Sequence, residues 1–523
     1  MTPVEVAPGG AESPLEVAAL DPDTASAGGQ DAPGEHGSAG AVRGSGAVMF
    51  VVGACAALVT AVQPIADNSV LTHLATGRLL LDDGLPSANP FLYSSTAFPV
   101  PSWAWSGALA AAEAVAGTSG IRVLVALVAG LLGAALVALC GPLDERARLL
   151  EIVVPSGLAA LSVVEFLGPR PHLVSFLLLA AALVVWTRRW SPWWLVALFA
   201  VWINVHGSWV YGLAVLALCA VARVIDERRV VWRDVLSLTG AALGTLVGAA
   251  LYPDRFELLL LPVRQFGDPI EREALQAYNE WARPGLGTLM LWPMLALGLL
   301  ALWGSWRNRR WGSLGASVLL VLVGVSGLRM IPIAAISLLP FAAAAMRGAG
   351  SIPVPSGTAA RRTCLFGAVV SLVALLAAFG VTDPPSTTDG YDLERFDTEA
   401  FARLDEAGLI GDDVRVLTTV EGGNYLAWRY GDRANAFVDD RPGAAQLIDY
   451  RRMLRGEGDW IDAFGRAAPD VVLWPTDSEL TVELGRLGWA DAGSYGERSL
   501  WCSPTLASRC PDPATGPDPA TGP

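Results

Sequence analysis

From about Ala47 to residue 381, apolar runs of near-membrane length follow one another with only short polar breaks between them. A helix that crosses the hydrocarbon core needs roughly 20 mostly apolar residues. On that rule spans fall at 47–66, 120–140, 149–167, 173–187, 192–205, 208–223, 232–251, 286–304, 311–327, 331–346 and 364–381. Composition agrees, with 53% hydrophobic and 16% charged residues and a mean hydropathy of +0.45, whereas soluble domains carry roughly a quarter charged residues. The expected fold class is mainly α: a polytopic helical membrane protein of about 11 spans with a small extracytoplasmic α/β domain at its C-terminal end.

All 36 basic residues are arginine, and short cytoplasmic loops collect positive charge. With the N-terminus in the cytoplasm, five groups fall on the inner side: Arg146 and Arg148; Arg188 and Arg189; Arg223, Arg228 and Arg229; Arg307, Arg309 and Arg310; Arg347, Arg361 and Arg362. The outer side then receives the stretch from Asp67 to Trp105, the Gly168–His172 turn, the 252–285 loop, Arg329 and everything after Thr382. The formal charge of −14 gathers in the first 46 residues and beyond Thr382, and no basic run suits nucleic acid.

Four segments follow. Residues 1–46 are rich in Gly, Ala, Pro, Ser and acid, too poor in apolar surface to offset chain entropy, and read as a disordered cytoplasmic tail. They lack the basic start and adjacent apolar core of a cleavable signal. Residues 47–381 form the transmembrane domain with outer loops 67–119 and 252–285. Residues 382–510 alternate apolar strand-like runs (Val414–Thr418, Ala436–Val438, Val471–Trp474, Leu500–Cys502) with helical ones (Gly423–Tyr430, Ala445–Arg455, Asp459–Ala467, Glu479–Leu487), as in a small layered α/β domain. Residues 511–523 repeat Asp-Pro-Ala-Thr-Gly-Pro and are expected to be disordered. Cys502 and Cys510 are spaced for a short-loop disulfide or stand as two free thiols.

The outer loops carry the polar chemistry. Val70, Leu71, Leu74, Leu79 and Leu80 recur at near-helical spacing over 68–81, which predicts an amphipathic helix in the interface. A second such segment runs through 255–283. Asp67, just past the first span, reads either as a general base toward an acceptor hydroxyl or as the N-cap of the next helix. His73 lies nearly two turns on and could share its face; a structural hydrogen-bonding role is the plainer reading. Glu280, beside Trp281, is a second carboxylate of the same kind. Arg170 and His172 occupy a Pro-bounded outer turn. Arg329 stands at an outer helix end, where it could hold a lipid phosphate or anchor the helix in the interface. Asn204 and His206, in a run broken by Gly207, either line a cavity or bond helix to helix. No phosphate-cradling glycine loop, zinc spacing or Ser-His-Asp signature is present. No cofactor is therefore expected, with a divalent metal left open but supported by no clear motif.

Taken in order, these residues resemble the C-type (GT-C) membrane glycosyltransferases, the glycosyltransferase 39 or dolichyl-phosphate-mannose mannosyltransferase-like group, and in particular a bacterial branch of it. The matching pieces are Asp67 with His73-Leu74-Ala75-Thr76-Gly77, Gly84 to Pro86, Asn89-Pro90-Phe91 and Trp103; Arg170-Pro171-His172; Trp202 to Gly207; Leu251-Tyr252-Pro253; Glu280-Trp281; and Arg329 to Pro332. In the C-terminal domain they are Glu421-Gly422-Gly423-Asn424-Tyr425, Phe437-Val438-Asp439-Asp440-Arg441 and Asp449-Tyr450. The commonest pattern pairs two adjacent acids and has an aromatic before the histidine, whereas here Asn68 follows Asp67 and Thr72 precedes His73.

The resemblance implies transfer of a sugar from a polyprenyl-phosphate-linked donor to an envelope glycan, lipid or protein acceptor at the outer face of a bacterial plasma membrane. In that reading Asp67, Glu280 and His73 are the catalytic group. Arg329, Arg170, His172, Asn204, His206 and Trp103 bind substrate. The alternative is a non-catalytic polytopic protein that binds a glycan-lipid or protein partner in envelope assembly or export. A transporter fits less well, since no internal repeat with matching broken helices is visible.

Overall fold

The structure is a computed structural model that describes residues 36–513 apart from 87, 95–99, 141–148, 253–255, 276–278, 348–356, 381–386, 389, 394–395, 412 and 442. Residues 1–35 of the tail expected at 1–46, residues 514–523 of the tail expected at 511–523, and the loop that carries Arg146 and Arg148 lie outside the described residues.

Among the described residues fourteen helices build the apolar part: α1 (His36–Ala61), α2 (Asn68–Asp82), α3 (Trp103–Leu139), α4 (Leu149–Leu161), α5 (Pro171–Thr187), α6 (Trp193–Val205), α7 (Trp209–Glu227), α8 (Trp232–Ala249), α9 (Glu257–Gly267), α10 (Pro269–Leu275), α11 (Leu291–Arg307), α12 (Trp311–Gly324), α13 (Met330–Met346) and α14 (Gly357–Gly380). The first begins at His36, upstream of the expected start at Ala47. By length and composition three described helices can cross a membrane, namely α3, α7 and α14. Helices α4, α5, α6, α12, α13 and the part of α1 from Gly46 are equally apolar but shorter. Helices α5 and α13 are buried nearly all round, with Leu179, Leu183, Ile336 and Leu339 at 1% exposure or less, and form the centre of the bundle. The outward faces carry Leu131 on α3, Val201 on α6, Leu299 on α11 and Leu322 on α12, each at least half exposed. Helices that satisfy their own backbone and turn apolar side chains outward are suited to hydrocarbon rather than water. The chain is a helical membrane protein.

Helix α3 breaks at Ala116 and Gly117, where Gly117 takes φ +58°, a conformation glycine adopts at little cost. The break separates a first limb, residues 103–115, from the apolar stretch beyond it. Helix α2 packs on this limb so closely that a Cβ on Gly77 would lie 2.1 Å from the Ser106 carbonyl oxygen. The apolar stripe expected to lie in the interface is thereby turned inward: Val70, Leu71 and Leu74 are at most 2% exposed, because protein rather than lipid covers them.

The second cover is the C-terminal domain. Its elements are β1 (Thr387–Thr388), β2 (Tyr391–Asp392), α15 (Thr398–Glu406), β3 (Val416–Leu417), α16 (Val420–Tyr430), α17 (Ala444–Arg455), α18 (Trp460–Ala467), β4 (Val471–Pro475), α19 (Glu479–Arg486), β5 (Ala490–Tyr495) and β6 (Arg498–Cys502). The main sheet runs β3-β4-β6-β5, with β3 parallel to β4 and the other pairs antiparallel. The expected strand Ala436–Val438 forms only single bridges, from Ala436 to Val416 and to Leu92; its backbone is divided between the domain and the loop that carries Leu92, so no ladder propagates. Cys502 and Cys510 form a disulfide. Helix α16 lies on α2. Backbone hydrogen bonds from Asp392 N to Ile65 O (3.1 Å), Ala436 N to Phe91 O (3.0 Å) and Tyr93 N to Ala436 O (3.2 Å) stitch the domain to the loop.

Candidate active site

Asp67 closes the turn between α1 and α2. Its backbone is extended and its Oδ1 accepts from Ser69 N at 2.9 Å, so the capping role is real. Its other oxygen, Oδ2, receives the Nε–H of Arg170. Arg170 stands immediately before α5, where Pro171 takes the first helical position that suits its fixed φ and missing N–H. The indole of the buried Trp105 holds the same turn by donating to Pro169 O at 2.9 Å.

Arg170 also donates from Nη1 to Glu280 Oε1. Glu280 sits in the short 3-10 turn Asn279–Trp281, which is anchored from below: Arg329 N donates to Glu280 O and Leu328 N to Ala282 O, both at 3.0 Å. Arg329 then pairs with Glu280 Oε2 at 3.4 Å and donates to His206 Nε2 at 2.7 Å. A guanidinium has no acceptor, so Nε2 accepts and the imidazole proton sits on Nδ1, which faces Ser208 Oγ at 2.8 Å. The result is a chain of alternating charge, Asp67, Arg170, Glu280, Arg329, ending on a neutral histidine. The four charged side chains are 20–28% exposed, shielded enough to strengthen the pairs and open enough to meet a ligand.

The Asp67–Arg170 end opens on a cavity of about 410 Å³ whose walls include Gln63, Arg122, Glu165 and Gly168. Glu280, Arg329 and His206 lie beyond its lining on the far side of Arg170.

The remaining expected site residues divide. His73 Nδ1 is 2.9 Å from Ser106 Oγ, and burial together with the Arg441 and Arg170 guanidiniums holds its pKa down to about 3. It is a neutral neighbour of the cluster, without a direct bond to Asp67. Trp103 and Asn204 do not face the cluster with free groups: the indole donates to Asn204 Oδ1 at 2.8 Å, and the Asn204 amide donates to Ala200 O and Gly248 O, both at 2.9 Å. Asn204 is 4% exposed, and this pair joins α3, α6 and α8. His172 is also buried, edge-on to Phe166 with ring centres 5.2 Å apart.

Sequence reasoning assigned no role to the Asp439-Asp440-Arg441 loop, which the C-terminal domain lowers onto α2. Asp440 accepts from Ser69 and lies in the field of Arg170; burial nevertheless pushes its carboxyl up. The same electrostatics keeps Arg170 charged, since burial is outweighed by Asp67, Glu280 and Asp440. Arg441 donates to Thr76 Oγ1 and pairs with Asp439 at 3.4 Å. The only advance signal was the appearance of these residues in the family resemblance; nothing in their spacing pointed to Ser69 and Thr76 on α2 as their partners. Among the described residues no group of three or more His, Cys, Asp or Glu side chains gathers to hold a metal. Between Asp67 and Glu280 the protein supplies the Arg170 guanidinium.

No family model and no curated protein matches the chain. Among solved structures it is similar to the crystal structure of the Archaeoglobus fulgidus oligosaccharyltransferase tethered to an acceptor peptide with an NVT sequon. That similarity has a TM-score of 0.48 and 9% identity, over 82% of this chain and 69% of that one.

Proposed function

We propose that the protein is a membrane glycosyltransferase of the GT-C type. It transfers a sugar from a polyprenyl-phosphate-linked donor to an envelope glycan, lipid or protein acceptor at the outer membrane face. The observation that carries this reading is the convergence of Asp67, Arg170, Glu280 and Arg329 from four separate loops at the ends of apolar helices, with Asp67 and Arg170 lining a cavity.

In the reaction the acceptor oxygen attacks the anomeric carbon and the bond from that carbon to the phosphate oxygen breaks with inversion. Polyprenyl phosphate leaves with the bonding pair, and the acceptor proton passes to the Asp67 carboxylate. Phosphate oxygens compete with carboxylates for the same planar guanidinium fork. Donor phosphate arriving at Arg170 therefore draws that side chain from Asp67 and releases Oδ2 to act as base. Arg329 and Glu280 hold Arg170 in register, and the Ser69 amide keeps Asp67 aimed while it changes partner.

A second reading, a non-catalytic protein that binds a glycan-lipid or protein partner, has one observation in its favour: both Asp67 oxygens are already engaged. The deciding experiment is Asp67→Asn in purified, lipid-reconstituted protein assayed with radiolabelled polyprenyl-phosphate sugars. Asparagine caps a helix about as well as aspartate, so the fold is kept. Loss of a general base is worth typically 10²- to 10⁴-fold in rate, and a fall of that size is expected. Unchanged transfer by the variant removes Asp67 from the chemistry. Donor retention by the wild type without any transfer selects the binding reading.

A further inference from the structure

Helices α5, α7 and α13 begin at the Arg170, His206 and Arg329 cluster. They end roughly 25 Å away, at about 1.5 Å per residue, where a second cavity of about 440 Å³ opens between them and α11 and α12. Four arginines line it: Arg188 after α5, Arg223 on α7, Arg310 before α12 and Arg347 after α13. The single carboxylate on the wall, Asp226, is consumed locally. It accepts from Gly312 N at 2.7 Å, Ser313 N at 3.2 Å and Ser313 Oγ at 2.6 Å, capping α12, and leaves Arg310 at 3.7 Å.

Two of the cations have structural partners. Arg188 donates to Ala138 O at 2.8 Å, and Arg223 pairs with Asp234 at 2.7 Å while stacking on Trp186 at 4.0 Å. Arg347 is exposed and meets no carboxylate among the described residues. The rest of the wall mixes apolar Leu139, Phe341 and Ala344 with polar Thr187, Ser305 and Asn308. Arginines above a partly apolar wall at one end of a helix bundle match an anionic phosphate on an acyl chain. Basic pockets between membrane helices take such headgroups, and guanidinium forks match phosphate oxygens.

We propose that this cavity binds the phosphate headgroup of an anionic phospholipid, with Arg310 and Arg347 as its principal contacts and an acyl chain against Leu139 and Phe341. The site stands apart from the proposed transfer centre and does not depend on it.

The test is native mass spectrometry of the purified full chain titrated with phosphatidylglycerol, phosphatidylcholine or inorganic phosphate. Phosphatidylglycerol is expected to be retained at a concentration at least tenfold below phosphatidylcholine, and inorganic phosphate at millimolar levels is not expected to displace it. Arg310→Gln with Arg347→Gln should abolish that preference while leaving the melting temperature unchanged, and Arg347→Lys alone should keep most of it. Equal retention of the two lipids, or a preference that survives the double substitution, overturns the proposal. Displacement by inorganic phosphate would assign the site to a free phosphate and overturn the lipid assignment.

Discussion

Arg170 Nε donates to the Asp67 carboxylate oxygen that is not used in capping α2, so the entry of one helix and the start of another share a single ion pair. The same guanidinium reaches Glu280. Lysine carries the charge without the planar fork and cannot serve both carboxylates in this geometry.

Arg170→Lys is therefore expected to lower sugar transfer at least tenfold, mostly through weaker donor binding, with stability changed by about 1 kcal/mol or less. Arg170→Gln should cost more, about 3 kcal/mol, because two half-buried carboxylates lose their shared cation. Donor titrations and thermal melts of the two variants separate the effects.

The His73 imidazole has its pKa lowered in the folded protein by burial, then by Arg441 and Arg170, whereas an unfolded chain protonates histidine near 6.5. Between about 3 and that value the unfolded state binds one more proton. The stability that His73 contributes is complete above pH 6.5 and is lost progressively as pH falls below it. Melting temperature should fall from pH 7 to pH 4, and His73→Gln should flatten that slope while leaving the melt at pH 8 close to wild type. An identical slope in the variant would assign the acid lability elsewhere.

Gly423 lies where α16 approaches the Val438 backbone, and a Cβ there would sit 1.8 Å from Val438 O. Gly423→Val must push α16 away from the 437–441 segment and with it lift Asp440 and Arg441 from α2. A loss of about 2–4 kcal/mol is expected. Limited proteolysis should then release the C-terminal domain faster, and transfer should fall even where the membrane helices remain intact.

The Cys502–Cys510 disulfide closes a loop with a sequence separation of 8. On the loop-entropy relation such a crosslink contributes about 2–3 kcal/mol. Reduction, or Cys502→Ser with Cys510→Ser, should lower the first melting transition without moving that of the membrane helices. Calorimetry with and without reductant reads this directly.

Much of the local architecture follows from the sequence alone. Helix α2 was expected over 68–81 and runs Asn68–Asp82; the expected span at 120–140 begins just past the break at Gly117; α17, α18, α19 and β4 lie within a residue or two of their expected limits. Apolar length and periodicity are properties of neighbouring residues, so they can be read in order along the chain. Asp67 could be read as a cap because capping involves only the next two residues.

What covers those elements, and what meets at their ends, depended on the tertiary structure. The stripe on α2 predicts that one face is buried but does not say whether lipid or protein buries it, and the answer lies in α3 and α16. Asn204 and Trp103 looked like site residues because buried polar groups need partners; only the packing of α3, α6 and α8 shows that they find one another. Asp67, Arg170, Glu280 and Arg329 come from distant loops, and their pairing is decided by how α1, α5 and α13 pack. Ion pairs of this kind are long-range and carry no periodic signal in sequence, which is why the polar island at Asp67 was legible from its residues while the arginine that joins it to Glu280 became visible only in the fold.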